Sequence, residues 1–194
     1  TFKYKPIERI KGFKVLFAGN VGVAQDFDTL IKAINEIKNL NIHLVILGQG
    51  RAKKDALEKV QKYGLEKSIS FLGSFPLETM PYFFSQSDAL LISLKKSKIF
   101  AKTIPSKTQP YMSSGKPILT NADGEVNRII NEAKCGLTSD SGDHISLSKN
   151  MKKLSQLSKE ELSIMSQNSK DYYKQNFDRN DILMTLEKTF RNLL

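Results

Sequence analysis

Apolar residues along this chain fall into two kinds of pattern. Short unbroken runs occur at Lys14–Gly19 (KVLFAG), Ile42–Gly48 (IHLVILG), Ile69–Gly73 (ISFLG), Asp88–Ser93 (DALLIS) and Pro117–Thr120 (PILT), with a brief last one at Cys135–Leu137. Runs of this length without polar alternation read as strands buried on both faces. Between them apolar residues recur every three or four positions. Asp26–Leu40 places Phe27, Leu30, Ile31, Ile34 and Ile37 on one helical face. Arg51–Tyr63 is a charged helix with Leu57 and Val60 inward, closed by Gly64. Pro76 opens a helix to about Ser85, Pro105–Ser114 another, Glu125–Ala133 a third, and Asp143–Leu194 holds two or three more. Strands alternating with amphipathic helices specify an α/β fold, a doubly wound parallel sheet with helices on both faces. In such sheets ligands bind beyond the carboxyl ends of the strands. That rule directs attention to Gly19–Gln25, Gly48–Arg51, Gly73–Phe75, Ser93–Thr108 and Asn121–Glu125.

The size, 194 residues, suits one domain, 1–194. No run of about eighteen apolar residues is present, and the first residues lack the apolar core of a signal peptide. A single cysteine, Cys135, excludes an internal disulfide framework, and with two histidines, His43 and His144, a metal site is not expected. His43 reads as a satisfied core residue and Asp88 as a structural turn residue.

Charge changes the picture more. The net charge is +10, with 25 Lys against 5 Arg. Between Asp88 and Asp123 there is no acidic residue, yet Lys95, Lys96, Lys98, Lys102, Lys107 and Lys116 fall there. Such a window is either a solvated basic surface or an anion site. Within it, Ser106, Lys107 and Thr108 stand where a helix begins. Ser106 is a fair N-cap. Lys107 in a first turn opposes the helix dipole, at a local cost of a few tenths of a kcal/mol that a bound anion would offset; otherwise it points into water. As a surface lysine it should matter little to stability.

The loop GNVGVAQD puts Gly19 and Gly22 between a strand and a helix, where glycine lets backbone N–H groups approach a phosphate or makes a plain tight turn. It is neither a Walker loop nor GxGxxG. Gly124 precedes Glu125 at another helix start. Glu125 either complements the dipole or receives two hydroxyl donors from a sugar or ribose.

Taken in order, FAGNVGVAQDFDTLIKA, LVILGQG, ISFLGSFPLETMPYFFSQSDALLISL, PSKTQPYMSSGKPIL and GEVNRIINEAKCGL resemble the C-terminal, nucleotide-sugar-binding domain of GT-B glycosyltransferases, the large retaining family four. Within it the chain is most similar to bacterial transferases of amino and deoxy sugars in surface-polysaccharide assembly, of lipopolysaccharide or capsule. The resemblance implies a Rossmann-like GT-B domain and retaining transfer of a hexosyl or N-acetylhexosaminyl unit from an NDP-sugar, above all a UDP-sugar. The acceptor would be lipid-linked or a saccharide. No cofactor and no metal are implied. Gly19, Asn20, Gly22 and Gln25 would face the donor diphosphate, Leu72, Gly73 and Phe75 the nucleobase, Ser106, Lys107 and Thr108 the sugar and diphosphate, and Gly124 and Glu125 the donor. Many members carry an Arg and a Lys where this chain has Asn20 and Gln25, and two glutamates where it has Lys102 and Pro110. Lys107, Asn20 and Lys102 are therefore the expected catalytic set, the two lysines taking over charge neutralisation.

The resemblance also implies an acceptor domain N-terminal to this one, with residues 177–194 as a helix crossing toward it. The isolated domain should be inactive, and its uncovered Ile182, Leu183, Leu186 and Phe190 should promote homo-oligomers. The expected location is cytoplasmic, at the inner face of the cell membrane, with peripheral membrane contact. The alternative, prompted by charge, is a non-catalytic nucleotide- or nucleic-acid-binding module. Few arginines and no recognition motif speak against nucleic acid. A Rossmann dehydrogenase lacks its GxGxxG here.

Overall fold

The computed structural model describes residues 6–192. The outermost residues of the expected domain and of its final helix, 1–5 and 193–194, lie outside that range. Six parallel strands form one sheet in the order β3-β2-β1-β4-β5-β6. They are β1 Phe13–Ala18, β2 Ile42–Leu47, β3 Ile69–Gly73, β4 Ala89–Ser93, β5 Ile118–Asn121 and β6 Gly136–Ser139. All six runs of the hydrophobic pattern are strands, and the sheet is wound outward in both directions from β1 and β4.

The helices are α1 Phe27–Glu36, α2 Lys53–Lys62, α3 Met80–Ser85, α4 Thr108–Ser114, α5 Glu125–Glu132, α6 His144–Ser155, α7 Lys159–Phe177 and α8 Arg179–Arg191. Pleating sends alternate strand residues to opposite faces. Val15 and Phe17 of β1 join α1, α2 and α6 in one core, through Leu30, Ile34, Val60 and Met151. Leu16, between them, joins α3, α4 and α5 in the other, through Phe83, Tyr111, Val126 and Ile130. Helix α7 packs Leu162 and Met165 on the first core and Tyr172 and Tyr173 on the second, so it spans both layers.

The tail resolves into three helices because each has its own cap. Asp143 accepts from the Ser146 N–H, Ser158 and Glu161 form a reciprocal capping box, and Asp178 accepts from the Asn180 and Asp181 N–H groups. Two helix starts differ from the sequence expectation. Pro76 opens only a short 3-10 turn, Leu77–Thr79, and α3 proper begins at Met80. Helix α4 begins at Thr108 rather than Pro105, and Lys107 is its N-cap residue, so Ser106 caps nothing.

His43 is satisfied as expected, sharing a 2.8 Å hydrogen bond with the Ser70 hydroxyl, but it is half-buried rather than in the core. Asp88 is structural, accepting from the Lys14 N–H at 2.7 Å at the amino end of the sheet. Cys135 is buried, which pushes its thiol up to about 11 and leaves it unreactive. Among the described residues no group of three or more His, Cys, Asp or Glu side chains could hold a metal ion, and no helix is long and apolar enough to cross a membrane.

Candidate functional site

The strands β1 and β4 stay paired only over Val15–Ala89 and Leu16–Leu90, then diverge. A cleft of about 670 Å³ lies at the carboxyl edge of the sheet. Its walls come from the ends of β1 and β2 (Gly19, Asn20, Gly48, Gln49), the segment after β3 (Ser74, Phe75) and the start of α4 (Ser106, Lys107, Pro110).

Separating two strands leaves peptide groups without a ladder partner, and these must be satisfied some other way. The Tyr111 hydroxyl does so: it accepts from the Ala18 N–H at 2.8 Å and donates to the Ala18 carbonyl at 3.3 Å. Tyr111 is almost wholly buried, its ring edge-on to Phe84. Beyond the strand ends the β1 and β2 loops stay zipped together. Gly19 N–H donates to Leu47 O and Val21 N–H to Gln49 O, both at 2.9 Å, while Ala52 N–H returns to Val21 O at 3.0 Å. The zip is close enough that a Cβ on Gly48 would lie 1.8 Å from the Gly19 carbonyl oxygen.

Lys107 lies in the floor of this cleft. Its side chain turns inward, placing Nζ 3.7 Å from the centroid of the Phe17 ring. A Cβ on Gly19 would stand 3.0 Å from that Nζ, so the bare glycine makes room for it. The amine is buried and has no hydrogen-bond partner among the described residues. Burial pushes its pKa down to about 7, because desolvation penalises the ammonium and no carboxylate opposes it. The contact with the ring face offsets part of that penalty. The reading of Lys107 as a surface lysine is thus overturned. Thr108 is fully buried beside it, its hydroxyl also without a partner.

A second polar cluster braces the cleft's far side. Asn121, fully buried at the end of β5, donates to the Ser93 hydroxyl at 3.0 Å and to Asp26 at 3.5 Å, and accepts from the Gly142 N–H at 3.0 Å. Ser93 in turn donates to the Gln25 carbonyl at 2.7 Å. Asp26 adopts a left-handed conformation, φ 49°, held by a 2.7 Å bond from Thr29.

The model of the glycosyl transferases group 1 family matches residues 2–172. The chain belongs to that family. It is 28% identical over 173 residues to the probable glycosyltransferase WbjE of Pseudomonas aeruginosa, covering 84% of this chain and 42% of that protein. Two solved structures share the fold. One is Anabaena HepE in complex with UDP and glucose: TM-score 0.79, 16% identity, 93% of this chain and 48% of that one. The other is the C-terminal domain of the group 1 family protein LpcC from Francisella tularensis: TM-score 0.73, 18% identity, 89% of this chain and 90% of that one. The chain therefore spans less than half the length of WbjE and of HepE.

The domain brings only part of the expected site together. Gly19, Asn20, Gln25, Phe75, Ser106 and Lys107 line the cleft. Gly22 does not: its N–H is taken by Gln25 Oε1 at 3.2 Å. With the Gly19 N–H also engaged, these two glycines do not present free donors to a phosphate. Leu72 packs on the second core. The Gly73 carbonyl accepts from the Gly48 N–H at 2.8 Å, so its part is to hold the loop below. Lys102 is exposed on a 3-10 turn, Phe100–Lys102, outside the cleft lining. Gly124 fits against that turn, since a Cβ there would meet the Ala101 carbonyl oxygen at 2.0 Å. Glu125 is committed to Arg128, with Oε1 to Nη2 at 2.6 Å and Oε2 to Nε at 3.0 Å; the paired guanidinium holds its carboxyl below the usual range. Each of its oxygens therefore already accepts one hydrogen bond, and Glu125 is outside the cleft lining.

Two further cleft residues are not among the expected contacts: Gln49, inside the Gly48–Arg51 segment, and Tyr111. Gln49, between Gly48 and Gly50, carries its signal in the GQG triplet, where two glycines mark a close backbone approach. Tyr111 carries none, because an aromatic on a helical face reads as core.

Proposed function

We propose that this chain is the donor-binding part of a retaining glycosyltransferase that transfers a sugar from a UDP-sugar to a lipid-linked or saccharide acceptor in polysaccharide assembly on the cytoplasmic side of the membrane. The observation that carries this is the Lys107 amine, buried in the floor of the cleft with no hydrogen-bond partner among the described residues. A cation kept there at a cost to folding is explained by an anion that arrives and pairs with it. A nucleoside diphosphate supplies that anion, and its charge grows as it leaves during transfer. The amine is already in place, and the diphosphate draws it to the ammonium form, which stabilises that charge without reorganisation. The relatives support the nucleotide: HepE was crystallised with UDP and glucose. Asn20, Ser106 and Gln49 would supply neutral hydrogen bonds around it, and Phe75 an apolar wall for the base. Neutralisation would need no metal.

Acceptor recognition would belong to a preceding domain of the longer enzyme, to which α8 would cross. Helix α8 buries none of its side chains, and Ile182, Leu183, Met184, Leu186 and Phe190 are all exposed. Alone, the chain would bind donor and transfer nothing.

Titration calorimetry of this chain with UDP tests the reading. UDP should bind at least tenfold tighter than AMP or inorganic phosphate. Lys107→Ala should weaken UDP by about tenfold or more, as for loss of one charged hydrogen bond of about 1.5–3 kcal/mol. Lys96→Ala, on the same basic stretch but exposed, should change nothing. Equal binding of all three ligands, or equal loss in both variants, would remove the reading. In the longer enzyme Lys107→Ala should lower kcat/KM by about two to three orders of magnitude, with Lys107→Arg recovering part.

A further inference from the structure

The loop between β4 and α4 carries five of the six lysines of the acid-free window, and the donor cleft uses only its end, Ser106–Lys107. The rest, Leu94–Ile104, has a defined shape. Leu94 N–H donates to Asn121 O and Lys95 N–H to Ala24 O, both at 2.8 Å, and Ala101 N–H closes a turn onto Ser97 O at 3.0 Å. Ser141 Oγ donates to the Leu94 carbonyl at 2.7 Å. This anchored turn nonetheless exposes Ile99 to 72%, with Ile104 also exposed. Lys95, Lys96, Lys98 and Lys102 are exposed around them. Of the acids nearest in sequence, Asp88 meets Lys14 at the opposite end of the sheet, and Asp123 lies beside the loop, accepting from the Ser141 N–H at 3.0 Å, so the four lysines outnumber it there. Val23, 65% exposed, sits on the loop that Lys95 bonds.

We propose that Leu94–Ile104 is a docking loop for an anionic lipid bilayer, with Ile99 entering the interface and Lys95, Lys96, Lys98 and Lys102 meeting lipid phosphates. Two properties select the bilayer. Clustered lysines in a segment that carries no acid are drawn to an anionic surface, and an exposed aliphatic tip gains by leaving water only where the partner has an apolar layer beneath its charge. A protein partner fits poorly, because lysine is depleted from interface cores. A nucleic acid fits poorly too, because single strands are gripped by exposed aromatic platforms, and Phe100, the aromatic here, is half-buried. The loop runs directly into Ser106 and Lys107, so docking would set the cleft mouth beside the membrane. The inference stands on the loop's own chemistry and not on the donor reading.

Co-sedimentation of this chain with vesicles tests it. Vesicles of mixed phosphatidylcholine and phosphatidylglycerol should bind it, and vesicles of phosphatidylcholine alone about tenfold less. Ile99→Asp should lower partition to the mixed vesicles by about tenfold, and so should the pair Lys96→Glu, Lys98→Glu. The pair Lys152→Glu, Lys153→Glu, exposed on α6, makes the same change in net charge and should have little effect. Circular dichroism should be unaltered in all three, since none of these side chains is buried. Equal losses in the two lysine pairs would reduce the effect to bulk charge. That result, binding unaffected by Ile99→Asp, or displacement of the vesicles by a single-stranded oligonucleotide at lower concentration than they bind would overturn the proposal.

Discussion

Lys107 holds two demands in opposition. An ammonium free in the unfolded chain titrates near 10.4, whereas burial brings the folded value down to about 7. Between those values the unfolded chain binds more protons, so stability rises with pH across the window of about 7 to 10. Below pH 7 both states are charged and the folded state bears the full desolvation cost. Lys107→Met, which keeps the stem over Phe17 without the charge, should therefore raise the melting temperature at pH 6. The gain should shrink steadily toward pH 10, as followed by thermal denaturation. A diphosphate reverses the shift by pairing with the ammonium, so UDP affinity should strengthen as pH falls from 9 to 7 in the wild type and stay flat in Lys107→Met. That Lys107 would be special was visible in its company: a cation next to a strand end, in a window without acids. That it turns inward was not, because the direction depends on the room left by Gly19 and on the ring of Phe17, ninety residues away in the chain.

At the scale of elements, glycines that look alike in the sequence do different work. Gly48 ends β2 with φ 145° and lies against the Gly19 carbonyl, whereas Gly64 ends α2 with φ 64° and nothing within 4 Å. Gly64→Ala should cost about 1 kcal/mol, the penalty of a left-handed backbone. Gly48→Ala adds a collision with backbone that cannot move without unzipping the loops, so its cost should exceed about 3 kcal/mol and UDP binding should vanish with it. Urea denaturation of the two variants separates these cases. The pattern of apolar runs located every strand and nearly every helix, because burial on two faces leaves a periodic trace. Helix starts were less legible. Proline at 76 and 105 suggested them, but α3 and α4 begin later, at Met80 and Thr108, on the cleft wall itself.

For the whole molecule, α8 is the element that the rest of the domain does not need. With no buried side chain, its removal after Phe177 should shift the melting temperature by no more than a few degrees. The same truncation should abolish self-association. Light scattering of the intact chain should show dimers or larger species at high concentration, and a monomer at every concentration would count against α8 as an adhesive face. The sequence by itself determined the fold class, the six strands, the basic acid-free window and the family, since each is written in local periodicity, composition or motif order. The tertiary structure alone decided which loop residues share a cleft. Strand order 3-2-1-4-5-6 puts the ends of β1, β2 and β3 opposite α4, so Gln49 and Tyr111 enter the site while Lys102 and Glu125, equally promising as charges, are left outside it. Whether a polar side chain is free for a ligand depends on the partners it already has, and those partners lie far away along the chain.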